Sequence, residues 1–186
     1  GNLLFIGRLR KRSGIISTCI MVEKLLKHQN KLVLNIIGDG AYYEYISNRF
    51  CKLISSGNIV IHGSIDDYSE ITDIAKNCSI GVYLGDAGLS ILHYMALGLC
   101  PIVHNNLISH MGPEPSFLVD GENSKLVEFK NKIESASNIV RYLQLNKKEL
   151  YKIQRRAFED AKRIHASNLS NEIYQSISRQ ITLYQE

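Results

Sequence analysis

Gly85-Asp86-Ala87-Gly88-Leu89-Ser90-Ile91-Leu92-His93-Tyr94-Met95-Ala96-Leu97-Gly98-Leu99-Cys100-Pro101-Ile102-Val103 reads as a glycine turn, an apolar-periodic helix ending at glycine, and a buried strand opened by proline. A glycine turn feeding a helix points several backbone N–H groups at one spot. That spot carries roughly half a positive elementary charge and favours an anion such as a diphosphate. Whether a ligand can use it depends on what flanks it.

Upstream, apolar runs of strand length alternate with longer segments of helical period. Leu3-Leu4-Phe5-Ile6 ends at Gly7, and Ile15 to Leu26 carries apolar residues at 15, 19, 22, 25 and 26. Leu32 to Ile37 stops at Gly38-Asp39-Gly40, and residues 41–55 read as helical. Asn58 to His62 is a strand ended by Gly63; Asp66 or Ser69 caps the next helix, which ends near Asn77. Ser79 to Leu84 makes a fourth strand and Pro101 to Val103 a fifth. Near-continuous apolar strands separated by helices imply a parallel sheet covered on both faces. Right-handed crossovers then give an α/β, Rossmann-like doubly wound domain, whose ligands bind outside the carboxyl ends of the strands.

Downstream, Asp120-Gly121-Glu122-Asn123 is a turn signal and Leu126-Val127-Glu128-Phe129 a short apolar piece. Leu150, Ile153, Ala157, Ala161 and Ile164 form one helical stripe; Ile173, Ile177, Ile181 and Tyr184 form another. The expected organisation is one domain over residues 1–186, its core over about 1–145 and its C-terminal helices over about 146–186. The chain runs from Gly1-Asn2 straight into a strand without an initiator Met, so an excised domain with an N-terminal partner is expected.

Bulk composition excludes several classes. At 186 residues, 45% hydrophobic and 22% charged, the chain has the makings of a globular core rather than of disorder. A net charge of +4 tolerates anionic ligands without demanding nucleic acid or a membrane. Cys19, Cys51, Cys78 and Cys100 are far apart and form no C-x-x-C pair, which reads as reduced core cysteines of a cytosolic protein. No run approaches the roughly 18 apolar residues of a spanning helix.

Four places hold candidate ligand-binding residues. After the first strand comes Gly7-Arg8-Leu9-Arg10-Lys11-Arg12-Ser13-Gly14. Its cations, Arg8, Arg10, Lys11 and Arg12, are able to clamp a diphosphate, each arginine binding two oxygens at once. The plain alternative is a solvated basic loop. Arg8, immediately beyond the strand, is the strongest of the four. No aromatic interleaving supports nucleic acid. Gly38 allows close backbone approach after the second strand. Gly88, Leu89 and Ser90 offer amides to phosphate or to sugar hydroxyls, and Asp86 is placed either to accept from a sugar or to cap the helix. Ser90 and His93 lie three apart and share a face, distinct from the apolar face expected of Leu89, Leu92, Met95, Ala96 and Leu99. The loop His104 to Ser116, with His110, Pro113, Glu114 and Pro115, is long and polar, as functional loops often are. It contains no metal set and no nucleophile–base pair, and no metal site is expected.

Phe5-Ile6-Gly7-Arg8-Leu9, Ile36-Ile37-Gly38-Asp39-Gly40, Ile61-His62-Gly63-Ser64-Ile65, Gly88 to Val103 and Val119-Asp120-Gly121-Glu122-Asn123, in this order, resemble the C-terminal half of GT-B glycosyltransferases, most nearly retaining family 4, the group 1 type. The resemblance implies a nucleotide-sugar donor. The Arg8 position contacts the donor diphosphate, the backbone near Ile65 reads the base, and the Gly88 turn places sugar and phosphate. An N-terminal domain binds a saccharide or lipid-linked acceptor, and transfer occurs in the cleft between the two. No cofactor or metal is implied.

The departures from the family are specific. Its lysine before the glycine at 14 is Ser13 here, with Lys11 and Arg12 as substitutes. Its two glutamates fall on Gly85 and His93. His93 lacks a carboxylate's two acceptor oxygens, and Asp86 replaces the first glutamate only if the loop has shifted by one. Ser116 stands where a glutamate often precedes the Asp-Gly turn.

The leading expectation is the donor domain of a metal-independent, retaining hexosyltransferase for polysaccharide or glycolipid synthesis, inactive when isolated. Its location is cytoplasmic, at the inner membrane face if the full-length protein associates peripherally. A degenerate binding or scaffold domain is the alternative that the missing glutamates favour. A sugar-nucleotide epimerase of the same fold would need catalytic groups spread over both halves. A phosphoacceptor receiver is disfavoured, because its first strand should end in acids and this one ends Gly7-Arg8.

Overall fold

A computed structural model describes residues 2–29 and 31–166. Six parallel strands form one sheet in the order β3-β2-β1-β4-β5-β6. They are β1 (Asn2–Ile6), β2 (Leu34–Ile37), β3 (Ile59–Gly63), β4 (Cys78–Tyr83), β5 (Cys100–His104) and β6 (Lys125–Val127). The helices are α1 (Ile15–Leu25), α2 (Tyr43–Arg49), α3 (Cys51–Ser55), α4 (Tyr68–Ala75), α5 (Ser90–Ala96), α6 (Lys132–Leu145) and α7 (Lys147–Ala166). This is the Rossmann-like doubly wound sheet expected, with one strand more than the five read from apolar runs. β6 is the start of the short apolar piece, and pairing of Lys125 with Ile102 and of Val127 with His104 makes it a strand. Phe129 falls beyond it, in a 3-10 turn.

The central strands are buried almost throughout because helices cover both faces. Leu3, Leu4, Phe5, Leu34, Ile36, Ile80, Val82, Ile102 and Val103 are all fully enclosed. α6 packs on α1 and α7 on α5. In α7, Leu150, Ile153 and Ala157 are buried and Ala161 and Ile164 half-covered, as the stripe implies. The second stripe, Ile173 to Tyr184, lies outside the described residues.

Three local expectations need correction. Residues 41–55 form two helices that meet at buried Phe50, where φ −112° and ψ 23° leave helical geometry. The cap of α4 is Asp67, whose Oδ1 accepts from the Ser69 amide at 2.8 Å, rather than Asp66 or Ser69. In α5 the buried residues are Ile91, Tyr94 and Met95, whereas Leu89 is 65% exposed and Ala96 is exposed. The phase differs because Tyr94 belongs to the core. Its ring lies on β4 over Gly81, which has no Cβ to obstruct it. Cys19, Cys78 and Cys100 are buried, Cys51 is exposed, and all four are free thiols. Among the described residues no helix is long and apolar enough to cross a membrane.

Candidate functional site

Between β1 and β4 the strand order reverses, and the loops leaving their carboxyl ends diverge to open a crevice. The β1 and β2 loops are pressed together backbone to backbone. A Cβ on Gly38, whose φ is 139°, would collide with the carbonyl of Gly7, so only glycine permits this approach. The contact brings Arg8, exposed just beyond β1, to the rim of the crevice.

Arg8 borders two hollows. The first, about 480 Å3, is lined by Ile6, Gly7, Arg8, Ile37 to Gly40, Ser64 and Ile65. The second, about 380 Å3, is lined by Gly7, Arg8, Arg10, Tyr83, Gly88, Leu89, Ser90, Met111 and Glu114. A larger groove of about 580 Å3 between α4, α5 and α7 lies at the amino ends of the strands, the wrong end for a ligand in such a sheet.

The turn before α5 is fastened from three directions. Ser90 Oγ donates to the Ile6 carbonyl at 2.8 Å, and Tyr94 Oη accepts from the Ile6 amide at 3.0 Å. His110 Nδ1 accepts from the Ala87 amide at 2.9 Å while its Nε2 donates to the His104 carbonyl at 3.0 Å, which identifies the neutral tautomer. Burial holds His110 below the usual histidine value. The amides of Gly88, Leu89 and Ser90 have no hydrogen-bond partner among the described residues, and they sit beside the second hollow.

The remaining sequence candidates stand elsewhere. Lys11 is exposed and lines neither hollow. Arg12 Nε donates to Asp86 Oδ2 at 2.9 Å, so this cation and this carboxylate engage each other outside both hollows. Asp86 neither caps α5 nor lines either hollow. Burial alone would raise its carboxyl, but hydrogen bonds from Arg12 and Ser109 outweigh that and keep it below its ordinary value. His93 is half-buried and lies parallel to the Tyr68 ring, centroids 6.0 Å apart, and burial lowers its value. Ser116 is exposed and bonds the Pro113 carbonyl.

Of the nominated residues, then, Arg8, Gly38 and Ile65 meet in the first hollow, and Arg8, Gly88, Leu89 and Ser90 in the second. Arg10, nominated with the other cations, also lines the second, and the structure adds Tyr83, Met111 and Glu114. Arg10 stood in the basic run and Glu114 in the polar loop, and both were visible as chemistry without a position.

A family model described as glycosyl transferases group 1 matches residues 2–162. The chain belongs to the group 1 glycosyltransferases. This group 1 glycosyltransferase chain shares its fold with the C-terminal domain of the group 1 protein LpcC from Francisella tularensis (TM-score 0.71, 23% identity, 87% of this chain and 84% of that one). It also resembles TarM from S. aureus, solved with fondaparinux, α-GlcNAc-glycerol and UDP (TM-score 0.74, 18% identity, 86% of this chain and 31% of that one). HepE from Anabaena, solved with UDP and glucose, is similar as well (TM-score 0.74, 14% identity, 94% of this chain and 48% of that one). This chain thus spans about a third to a half of those two longer proteins. Comparison with curated proteins gives no match.

Proposed function

We propose that the chain is the donor-binding domain of a retaining glycosyltransferase that moves a hexose from a nucleotide donor to a saccharide or lipid-linked acceptor. The observation that carries this reading is Arg8 shared between two hollows, beside three amides without partners. The nucleoside lies against Gly38 and Ile65, the diphosphate bridges Arg8 and the amides of Gly88 to Ser90, and the sugar enters the second hollow. As the bond from sugar to diphosphate breaks, negative charge grows on the leaving group. Donors already fixed in place meet that charge without reorganising, and the step calls for no metal. UDP in the solved TarM and HepE supports a uridine donor as the first to try. An N-terminal domain presents the acceptor across the cleft, for polysaccharide or glycolipid synthesis at the cytoplasmic side of a membrane. The 186-residue chain alone binds donor weakly and turns nothing over.

Calorimetric titration with UDP, GDP and ADP tests the reading. One of the three saturates, and Arg8→Ala weakens it by about tenfold, the scale of a lost charge-assisted hydrogen bond. Lys11→Ala, at a position lining neither hollow, changes it by less than about twofold. Equal effects of the two substitutions would overturn the assignment of Arg8. The scaffold reading gains from Asp86 and His93 lining neither hollow, and it requires that no nucleotide saturate.

A further inference from the structure

α7 carries the charge excess of the whole chain. Seven of the 22 Lys and Arg stand within Lys147–Ala166 against three of the 18 Asp and Glu, so the excess there equals the net +4 and the other residues balance. All seven cations are exposed, whereas Glu149, Glu159 and Asp160 are partly buried. Two of these acids turn to the body of the domain. Glu149 accepts from Lys125 Nζ at 2.7 Å and from the Tyr142 hydroxyl, and Asp160 accepts from Asn123 Nδ2 at 2.9 Å. Arg155, Arg156 and Arg163 reach Glu159 or Asp160, but Lys147, Lys148, Lys152 and Lys162 hold no salt bridge among the described residues.

Aromatic rings share this exposed surface. Tyr151 is 67% exposed and Phe158 39%, while Leu150, Ile153 and Ala157 of the same helix are buried. Both rings line the groove of about 580 Å3 that α7 makes with α4 and α5, where Ala75, Ala96 and Leu97 are apolar neighbours and Lys76 and Arg155 the cations. Tyr151 and Arg155 also line a polar hollow of about 480 Å3, in which Lys152, Arg155 and Arg156 outnumber Glu122 and Glu159. Gln154 Nε2 donates to the Ser79 carbonyl at 3.1 Å and ties α7 to the start of β4, the end of the sheet opposite Arg8 and the open amides.

We propose that this face of α7 seats the protein on an anionic phospholipid surface. The occupant follows from matching chemistries. Anionic headgroups attract each nearby Lys or Arg by about 1 kcal/mol, and aromatic side chains favour the boundary between headgroups and acyl chains. A nucleic acid matches the cations but leaves the apolar side of the groove in water. Seated in this way, α7 lies along the membrane and the carboxyl ends of the strands stay clear of it. The inference does not depend on what the hollows at those ends bind.

The 186-residue chain is sedimented with vesicles of phosphatidylcholine alone and with vesicles in which about three lipids in ten are phosphatidylglycerol. The expected result is binding at least about tenfold tighter to the anionic vesicles, weakening as salt rises. Lys152→Glu combined with Arg155→Glu reverses the charge beside Tyr151 and cuts that binding by about tenfold or more. Lys27→Glu combined with Lys52→Glu makes the same change in net charge at exposed positions outside α7, and it changes binding by less than about threefold. Should the α7 double variant fail to fold, Tyr151→Ala is read instead; it leaves every charge in place and weakens binding to anionic vesicles by about threefold. Equal binding to both kinds of vesicle, or none to either, overturns the inference. So does equal loss in the two charge-reversed variants, which reads as attraction by overall charge, and so does binding that no α7 variant alters. A single-stranded DNA oligonucleotide bound as tightly as the anionic vesicles, and lost with the same variant, makes the face a nucleic-acid site and overturns it as well.

Discussion

Gly85 has no room for a side chain. A Cβ there would collide with the carbonyl of Arg12 and the backbone of Ser13 and Gly14, and a Cβ on Gly14 would strike Leu84 and Gly85 in return. The β1 loop and the turn before α5 therefore meet main chain to main chain, and the Asp86 amide donates to the Arg12 carbonyl at 2.7 Å across the seam. It follows that a carboxylate cannot simply be restored where related sequences carry a glutamate. Gly85→Glu is expected to lower stability by about 1–3 kcal/mol or more, the range for overpacking a closed contact, and to gain no nucleotide-sugar affinity. Urea denaturation and calorimetry check this, and an unchanged midpoint with tighter donor binding would refute it. Arg8 and Gly38 could be placed from sequence because each directly follows an apolar run, and strand ends in a parallel sheet point at the ligand. Asp86 could not. Its direction depends on Arg12, 74 positions away, which no local pattern encodes.

α5 is short, seven residues, and two of its side chains clamp the end of β1. Ser90 takes the carbonyl of Ile6 and Tyr94 its amide, and the Tyr94 hydroxyl also donates to Val82 O at 3.3 Å. The clamp sets the distance between Arg8, two residues beyond Ile6, and the amides at the mouth of α5. Burial raises the Tyr94 hydroxyl far above its ordinary value, so it stays neutral and able to donate. Tyr94→Phe strands the Ile6 amide and the Val82 carbonyl at a fully buried site and is expected to cost about 1–3 kcal/mol. If the clamp also sets donor geometry, nucleoside diphosphate affinity falls with it; denaturant midpoints and titration of the same variant separate the two effects. Hydropathy alone misphased this helix because a tyrosine scores as half-polar. It belongs to the core only because both hydroxyl partners come from other strands. For the same reason β6 was hard to read: three residues show no period, and pairing with β5 is what makes them a strand. The long apolar runs of β1, β2, β4 and β5 needed no such help, since burial on both faces is written into their composition.

At the scale of the whole molecule, the histidines govern behaviour in mild acid. His62, His93, His104 and His110 all lie below the usual histidine value, with burial the largest cause in each. His104, fully enclosed between His110, Phe129 and Asp86, is pushed furthest, to about 4; burial leads, the charges of His110 and Lys132 add to it, and Asp86 opposes. The sign follows from which state holds more protons. Above pH 6.5 both forms of each histidine are neutral and stability does not depend on them. Between 6.5 and 4 the unfolded chain takes up protons that the folded chain refuses, so stability falls as pH falls, by about 1.4 kcal/mol per pH unit for a fully displaced group such as His104. The lowered carboxyls of Asp67, Asp86 and Glu149 act in the same sense from about pH 4.5 downward, where the unfolded chain begins to protonate carboxyls that the folded chain keeps ionised. Urea midpoints measured from pH 7 down to pH 5 should therefore decline in the wild-type chain. His104→Gln should start from a lower value, because a packed ring is lost, and then decline less steeply. Parallel slopes in the two proteins would mean that His104 is not the group responsible. The decline bears on the proposed donor site directly, since His104 and His110 form the support under Ala87 from which the three open amides are presented.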